Sequence, residues 1–224
     1  MVGDRLFSYK MTHDTGFAPN PFGGFLTIAT CKPLMRKHKR VGDWIAGFTS
    51  ARMDNAWHRV GEERIVFLMR VSDKVTLAEY WSDPRFVIKR QQQDAGAVGT
   101  CGDNIYRPTS KQPVLPIVYD QIKNIHHSPR DATRDVGGEF VLIADEFYYF
   151  GSKALVIPTS LRPGVPRGQA AHGKLTRSAH RAQEFIEWMR ATYAVGIHSH
   201  PHKWPRNEES WRRFASNPES EGLR

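Results

Sequence analysis

Met35-Arg36-Lys37-His38-Lys39-Arg40 runs through Val41-Gly42-Asp43 into Trp44-Ile45-Ala46-Gly47-Phe48, and the chain returns as Arg64-Ile65-Val66-Phe67-Leu68-Met69-Arg70-Val71. The order is a basic run, a turn, a strand, a polar loop over 51–62 and a second strand. Gly-Asp is turn chemistry. Residues 64–71 are nearly all apolar, which predicts a strand buried on both faces. Outward from this pair, residues 5–11 alternate and predict a strand. Residues 25–31 are β-branched and predict another, and 140–150 form a fourth strand region. Thr76 is placed to cap a short helix ending at Trp81.

Residues 89–138 are polar and rich in turn signals, interrupted by short strands around Val114 to Tyr119. A loop-rich stretch of this length inside a compact domain is functional or disordered. Residues 158–172 form a Pro/Gly linker. Residues 175–193 place Ala179, Ala182, Phe185, Ile186, Met189 and Tyr193 at helical spacing, which predicts an amphipathic helix. Trp204 to Phe214 suggests another short helix, and the last ten residues are expected to fray. Short strands with few helices predict an α+β fold: a small, strongly bent β-barrel with peripheral helices and a C-terminal helix. The expected division is a barrel-like domain over 1–160 and a linker with a packed helical segment over 161–224.

The chain has 224 residues, 40% of them hydrophobic and 25% charged. That suits one domain with a core of its own. No window offers the ~20 apolar residues of a membrane span, and Met1 to Leu6 shows no signal core. Cytoplasmic residence is the default expectation, and no membrane partner is expected. Cys31 and Cys101 are the only cysteines, so reduced thiols are expected rather than a bridge. The formal net charge is +9, from 32 Lys and Arg against 23 Asp and Glu. Such a surface attracts polyanions, foremost nucleic acid, although a basic soluble protein can have the same composition. The oligomeric state is not encoded in any recognisable pattern.

The densest cluster of special residues is Asp14-Thr15-Gly16-Phe17-Ala18-Pro19-Asn20-Pro21-Phe22, followed by Thr27-Ile28-Ala29-Thr30-Cys31-Lys32-Pro33. Pro19 and Pro21 fix their own backbones and restrict the residues before them, so Asn20 is held in a nearly predetermined position. Together with Val41-Gly42-Asp43-Trp44-Ile45, these strings resemble the nucleotide modification associated domain family, its second type. Tyr80-Trp81-Ser82-Asp83-Pro84-Arg85-Phe86, Gly102-Asp103-Asn104-Ile105-Tyr106, His127-Ser128 and Phe147-Tyr148-Tyr149-Phe150-Gly151 are similar to its later motifs. The likeness spans roughly 5–205. It implies a bacterial or phage protein acting in the modification of DNA bases. The basic run and strand pair also look like the PUA, ASCH and EVE barrels, which bind RNA or modified bases.

The candidate site residues follow. Phe17 and Phe22 offer faces on which a base can stack, and Asn20 an amide for its edge; alternatively the rings plug the end of the fold. Asp14 and Lys32 belong to the same motifs. Asp103, Asn104 and Tyr106 can read a base, and Asp103 can serve as general base; the alternative is an Asx turn. Cys31 stands beside Lys32, Arg36, Lys37 and Lys39, which favour thiolate, with His127 or His126 as its base; the bland reading is a small buried hydrophobe. His127 is also the candidate partner of Asp103. Arg36, Lys37, Lys39, Arg40, Arg85, Lys89 and Arg90, with Arg206, Arg212 and Arg213, are candidates for a phosphate backbone. Trp81, Phe86 and Tyr106 interleave with them. Trp44 and Phe67 read as core.

His198, His200 and His202 alternate, but no metal motif accompanies them, so no metal is expected. Gly168 to Lys174 nearly spells a phosphate loop, but Leu175 follows the lysine and no strand precedes; Thr176 is read as a helix cap. No nucleotide-cofactor fingerprint is present, and no cofactor is expected. The expected partner is nucleic acid, DNA rather than RNA, or a nucleotide. The first reading is a module that recognises a modified base or helps make one, in a base-sized pocket beside a basic surface. The alternatives are an enzyme using acid/base chemistry on a nucleotide or base, and a β-barrel that binds a small molecule or protein.

Overall fold

The computed structural model describes residues 4–53, 63–92, 96–110, 115–168 and 170–204. The possible helix after Trp204 and Arg206, Arg212 and Arg213 lie outside them. The strands are β1 (Leu6–Met11), β2 (Leu26–Ile28), β3 (Trp44–Thr49), β4 (Arg64–Arg70), β5 (Asp73–Thr76), β6 (Tyr106–Pro108), β7 (Tyr119–Gln121), β8 (Phe140–Ala144), β9 (Phe147–Tyr149), β10 (Leu155–Val156), β11 (Lys174–Leu175) and β12 (Gly196–Ile197). The helices are α1 (Pro33–His38), α2 (Leu77–Ser82), α3 (Gly96–Gly99), α4 (Ala132–Val136) and α5 (Ala179–Thr192).

The large sheet has the order β11-β1-β3-β4-β9-β12, with β10 also on β4; a small sheet has the order β2-β8-β5, and β6 pairs with β7. The side chains of β3 alternate across the large sheet. Ile45 joins Met11, Phe67 and Met69 on one face, where Leu26, Ile28, Leu142 and Ala144 of the small sheet meet them. Trp44, Ala46 and Phe48 point the other way, with Leu68, onto Ala182, Phe185, Ile186 and Met189 of α5. The far face of the small sheet, Val141 and Ile143, packs on Leu77 and Tyr80 of α2. A fully buried large apolar side chain stabilises by about 1.5–3 kcal/mol, so the buried stripe of α5 anchors that helix firmly.

The expected closed barrel is not found among the described residues, where no pairing closes either sheet. Both faces of the large sheet are already covered, so closure would hide no further apolar surface. The α+β class stands. The single strand region at 140–150 is two strands, β8 and β9, in different sheets. The basic run after Pro33 is helical, with Pro33 in its first turn. Thr76 caps α2 with a complete capping box through Glu79. Ser178, not Thr176, caps α5. No helix among the described residues is long and apolar enough to cross a membrane.

The topology positions the site. β1 and β3 pair in parallel, so the chain between them must cross over rather than turn back. That crossover carries β2, Cys31 and α1, and brings them to the end of β1.

Candidate active site

Cys31 ends the run after β2 in an unusual backbone. Its φ is 55° and that of Lys32 is 40°. Two consecutive non-glycine residues in the left-handed region cost of order 1–3 kcal/mol each and persist only where the surroundings hold them. Here they are held from both sides. The Cys31 amide donates to Asp135 Oδ1 at 2.9 Å, and Arg36 Nε donates to the Cys31 carbonyl at 2.8 Å. Arg36 is fully buried and its guanidinium also donates to the carbonyls of Phe140 and Asp135. Gly138 leaves room for it, since a Cβ there would lie 2.4 Å from the guanidinium carbon.

The turn presents Cys31 to two side chains from the long polar segment. Cys31 Sγ lies 3.4 Å from His127 Nε2, and His127 Nδ1 lies 2.5 Å from Asp135 Oδ2. Tyr106 donates its hydroxyl to the same carboxylate oxygen at 2.9 Å. Asn124 Oδ1 receives the amides of His126 and His127, which fixes the histidine pair. Burial works against a charged His127, but the hydrogen bonds to Asp135 and Cys31 outweigh it and raise its pKa from 6.5 to about 9. Burial likewise opposes the Asp135 carboxylate, yet His127, Tyr106 and the Cys31 amide hold it below the usual range. Burial, then Asp135, pushes the Tyr106 hydroxyl well up, so it remains a donor. An imidazolium beside the sulfur stabilises negative charge there.

Cys31, His127 and Asp135 offer ligand atoms within 4.8 Å of one another. However, His127 faces Cys31 with one ring nitrogen and Asp135 with the other. A single ion would need both partners on the same nitrogen. The arrangement fits an imidazolium held by the carboxylate on one nitrogen and facing the sulfur with the other better than chelation.

The triad opens on a cavity of about 240 Å³, lined by Tyr9 to His13 at the end of β1 and by Phe17, Thr30, Cys31, Lys32, His126 and His127. His126 stacks on Phe17 with centroids 4.4 Å apart and rings 16° from parallel, while His127 meets Phe17 edge-on at 4.9 Å. Burial lowers the pKa of His126, which favours its neutral ring. The Lys32 ammonium sits 4.4 Å from the centre of the Tyr9 ring, and burial lowers its pKa.

The other expected site residues are placed elsewhere. Asn20 is 1% exposed. Its amide donates to Cys101 O at 2.8 Å, and its oxygen accepts from Phe22 N and Lys89 Nζ. It therefore pegs the proline loop. Phe22 packs on Val98 and Cys101. Asp14 accepts from Tyr149 Oη at 2.5 Å and from His202 N, and burial raises its pKa. Asp103 is buried under Thr27 and Tyr80, each donating at 2.7 Å. Burial raises its pKa too, against the pull of Lys89. Asn104 donates to the carbonyls of Tyr80 and Phe86. Neither Asp103 nor Asn104 lines the cavity, and His127 takes Asp135 rather than Asp103 as its partner.

Most of the cations offered to a phosphate backbone have internal tasks. Lys89 is 1% exposed, bonded to Asn20 and to Phe25 O, and burial brings its pKa to about 7. Lys39 lies 3.5 Å from the centre of the Phe7 ring. Lys37 pairs with Glu139, Arg85 with Asp83 and Asp73, and Arg90 stacks over Trp81. Arg40 is exposed. A basic cleft that the sequence did not advertise lies beside β11, about 500 Å³, lined by Arg162, Lys174, Arg177 and Arg181.

Asp135 was also missed from sequence. It is one of several acids in 131–145, and only folding brings it against His127. Its single local signal is a helix-bounded position eight residues after His127.

A family model matches residues 3–208, nearly the whole chain, and its description is nucleotide modification associated domain 2. The chain belongs to that family. The match covers every element from β1 to β12, so the Cys31 turn, the histidine pair and the Asp135 helix all lie within the domain. No curated protein and no solved structure gave a match. The family name implies a role in nucleotide modification.

Proposed function

We propose that this member of the nucleotide modification associated domain 2 family is an enzyme that modifies a nucleotide or nucleic-acid base through a transient covalent bond to Cys31. The observation that carries the proposal is the continuous line of contact from Cys31 Sγ through His127 to Asp135, at a strained turn in a cavity wall. A buried structural cysteine needs no oriented imidazolium beside it. A nucleophile does.

In this reading the Cys31 sulfur attacks an electrophilic carbon of the substrate. His127 then hands the proton on Nε2 to the group that becomes basic, and Asp135 keeps the ring charged and oriented. The cavity is below the ~300–1,000 Å³ typical of drug-sized ligands, which suits a base rather than a larger molecule. Phe17 and His126 provide a flat wall for it. Phosphates would fit the cleft of Arg162, Lys174, Arg177 and Arg181. β11 pairs with Phe7 and Ser8, and the cavity begins at Tyr9. A strand rises about 3.3 Å per residue, so cleft and cavity lie within reach of one nucleotide or a short strand. DNA is the favoured partner over RNA.

The test is mass spectrometry of nucleosides after incubating the protein with nucleotides and, separately, with DNA. Altered nucleosides with wild type, and none with Cys31→Ser of unchanged thermal stability, would support the proposal. Unchanged nucleosides together with tight binding that Cys31→Ser does not affect would leave a reader of bases, not an enzyme.

A further inference from the structure

The proposed nucleophile lacks one feature that thiol and serine enzymes commonly use. In those sites the backbone amide at the nucleophile often helps receive a developing oxyanion. Here the Cys31 amide is already donated to Asp135 Oδ1 at 2.9 Å. A reaction at Cys31 that places negative charge on oxygen must therefore find other donors.

Two neighbours supply them. Thr30 is fully buried and lines the cavity, and its hydroxyl has no hydrogen-bond partner among the described residues. Leaving such a hydroxyl unpaired is costly, and functional sites are where such groups persist. Lys32 lines the same cavity on the other side of Cys31, and its ammonium rests on the Tyr9 ring rather than on a carboxylate. Thr30 and Lys32 thus flank Cys31 in the chain, and all three residues line one cavity.

We infer that Cys31 adds to a carbonyl-type carbon, and that the Thr30 hydroxyl and the Lys32 ammonium receive the resulting oxyanion. This rests on Cys31 being the nucleophile and names its substrate class: an acyl, amide or ureide carbon. The Cys31 sulfur forms a bond to the carbon, and the C=O electron pair moves onto oxygen. Collapse restores C=O and breaks the bond to the leaving group, which takes the proton from His127 Nε2. Water or an amine then takes the acyl group from sulfur and regenerates the thiol.

The experiment compares two reagents on the same sulfur. p-Nitrophenyl acetate acylates through a tetrahedral oxyanion; iodoacetamide alkylates by displacement and forms none. Thr30→Val removes the hydroxyl while keeping the shape, and removing an unpaired buried hydroxyl should not lower the melting temperature. Acylation by p-nitrophenyl acetate should slow by about 10²-fold, the usual effect of one oxyanion donor, while alkylation changes less than about two-fold. Thr30→Ser should recover most of the acylation. Equal slowing of both reagents, or of neither, would overturn the inference. The underlying assignment of Cys31 fails separately, if alkylation of the wild-type thiol is no faster than in His127→Ala.

Discussion

Asp135→Asn isolates the contact on which the proposed chemistry depends. The amide keeps the size of the carboxylate, and its single oxygen can still accept from the Cys31 amide, with its NH2 then facing Tyr106 and His127. It removes the negative charge 2.5 Å from His127 Nδ1. His127 is raised from 6.5 to about 9 against the effect of burial. One unit corresponds to 1.36 kcal/mol, so the whole shift is worth at most about 3 kcal/mol. The sulfur supplies part of it, and solvent at the cavity screens the rest, which leaves about 2 kcal/mol for Asp135.

The sign follows from the direction of each shift. His127 is raised, so its contribution is complete below its unfolded value of 6.5 and is lost as pH rises through about 9. Asp135 is depressed, so its contribution is present above its unfolded value of 3.8 and is lost as pH falls through the lower folded value. The difference between wild type and Asp135→Asn should therefore be largest between about pH 4 and 6.5 and nearly gone by about pH 10. In that window the melting temperature should fall by roughly 4–8 °C. Ring NMR of His127 should show its titration shifted down by about one and a half units. The thiol should alkylate with iodoacetamide about ten-fold more slowly at neutral pH. An unmoved His127 titration, or the same loss of stability at pH 6 and pH 10, would refute the ion-pair account.

Asn20→Ala should cost about 2–3 kcal/mol and roughly 5–10 °C in melting temperature, because it strands Cys101 O in the interior and removes one of the bonds of buried Lys89 Nζ; a shift under about 2 °C in calorimetry would return the proline loop to a ligand-binding role. Lys89→Met should destabilise by a similar amount at neutral pH through the unsatisfied carbonyl of Phe25 and the bonds lost to Asn20. Lys89 is depressed to about 7, so between that value and its unfolded value the unfolded chain binds more protons and wild-type stability rises with pH. Denaturant melts from pH 7 to about 10 should show that rise shrinking in the variant. Gly47→Ala should cost about 1–3 kcal/mol by overpacking, since a Cβ there would sit 2.2 Å from the Phe67 ring; an unchanged urea midpoint would contradict the packing of β3 on β4.

Much of the fold could be read from local pattern. The apolar run of β4, the alternation of β1 and the helical stripe of α5 each follow from the period at which side chains reach a buried face, and that period is a property of neighbouring residues. The family resemblance was legible for the same reason, being carried by contiguous strings such as Ala18-Pro19-Asn20-Pro21-Phe22. Closure was not legible. Whether a bent sheet becomes a barrel depends on what covers its faces, and only the packing of the small sheet on one side and α5 on the other decided that. The site divided in the same way. Cys31, His127 and Tyr106 could be singled out by chemistry, but so could Asp103, Asn20 and Lys89, which folding turned inward to satisfy one another. A polar residue near a loop has the same local sequence signal whether it lines a cavity or fills the core. Asp135 lies 104 positions from Cys31 in the chain and 2.9 Å from its amide in space, a proximity that exists only after the crossover between β1 and β3 has brought α4 against the Cys31 turn.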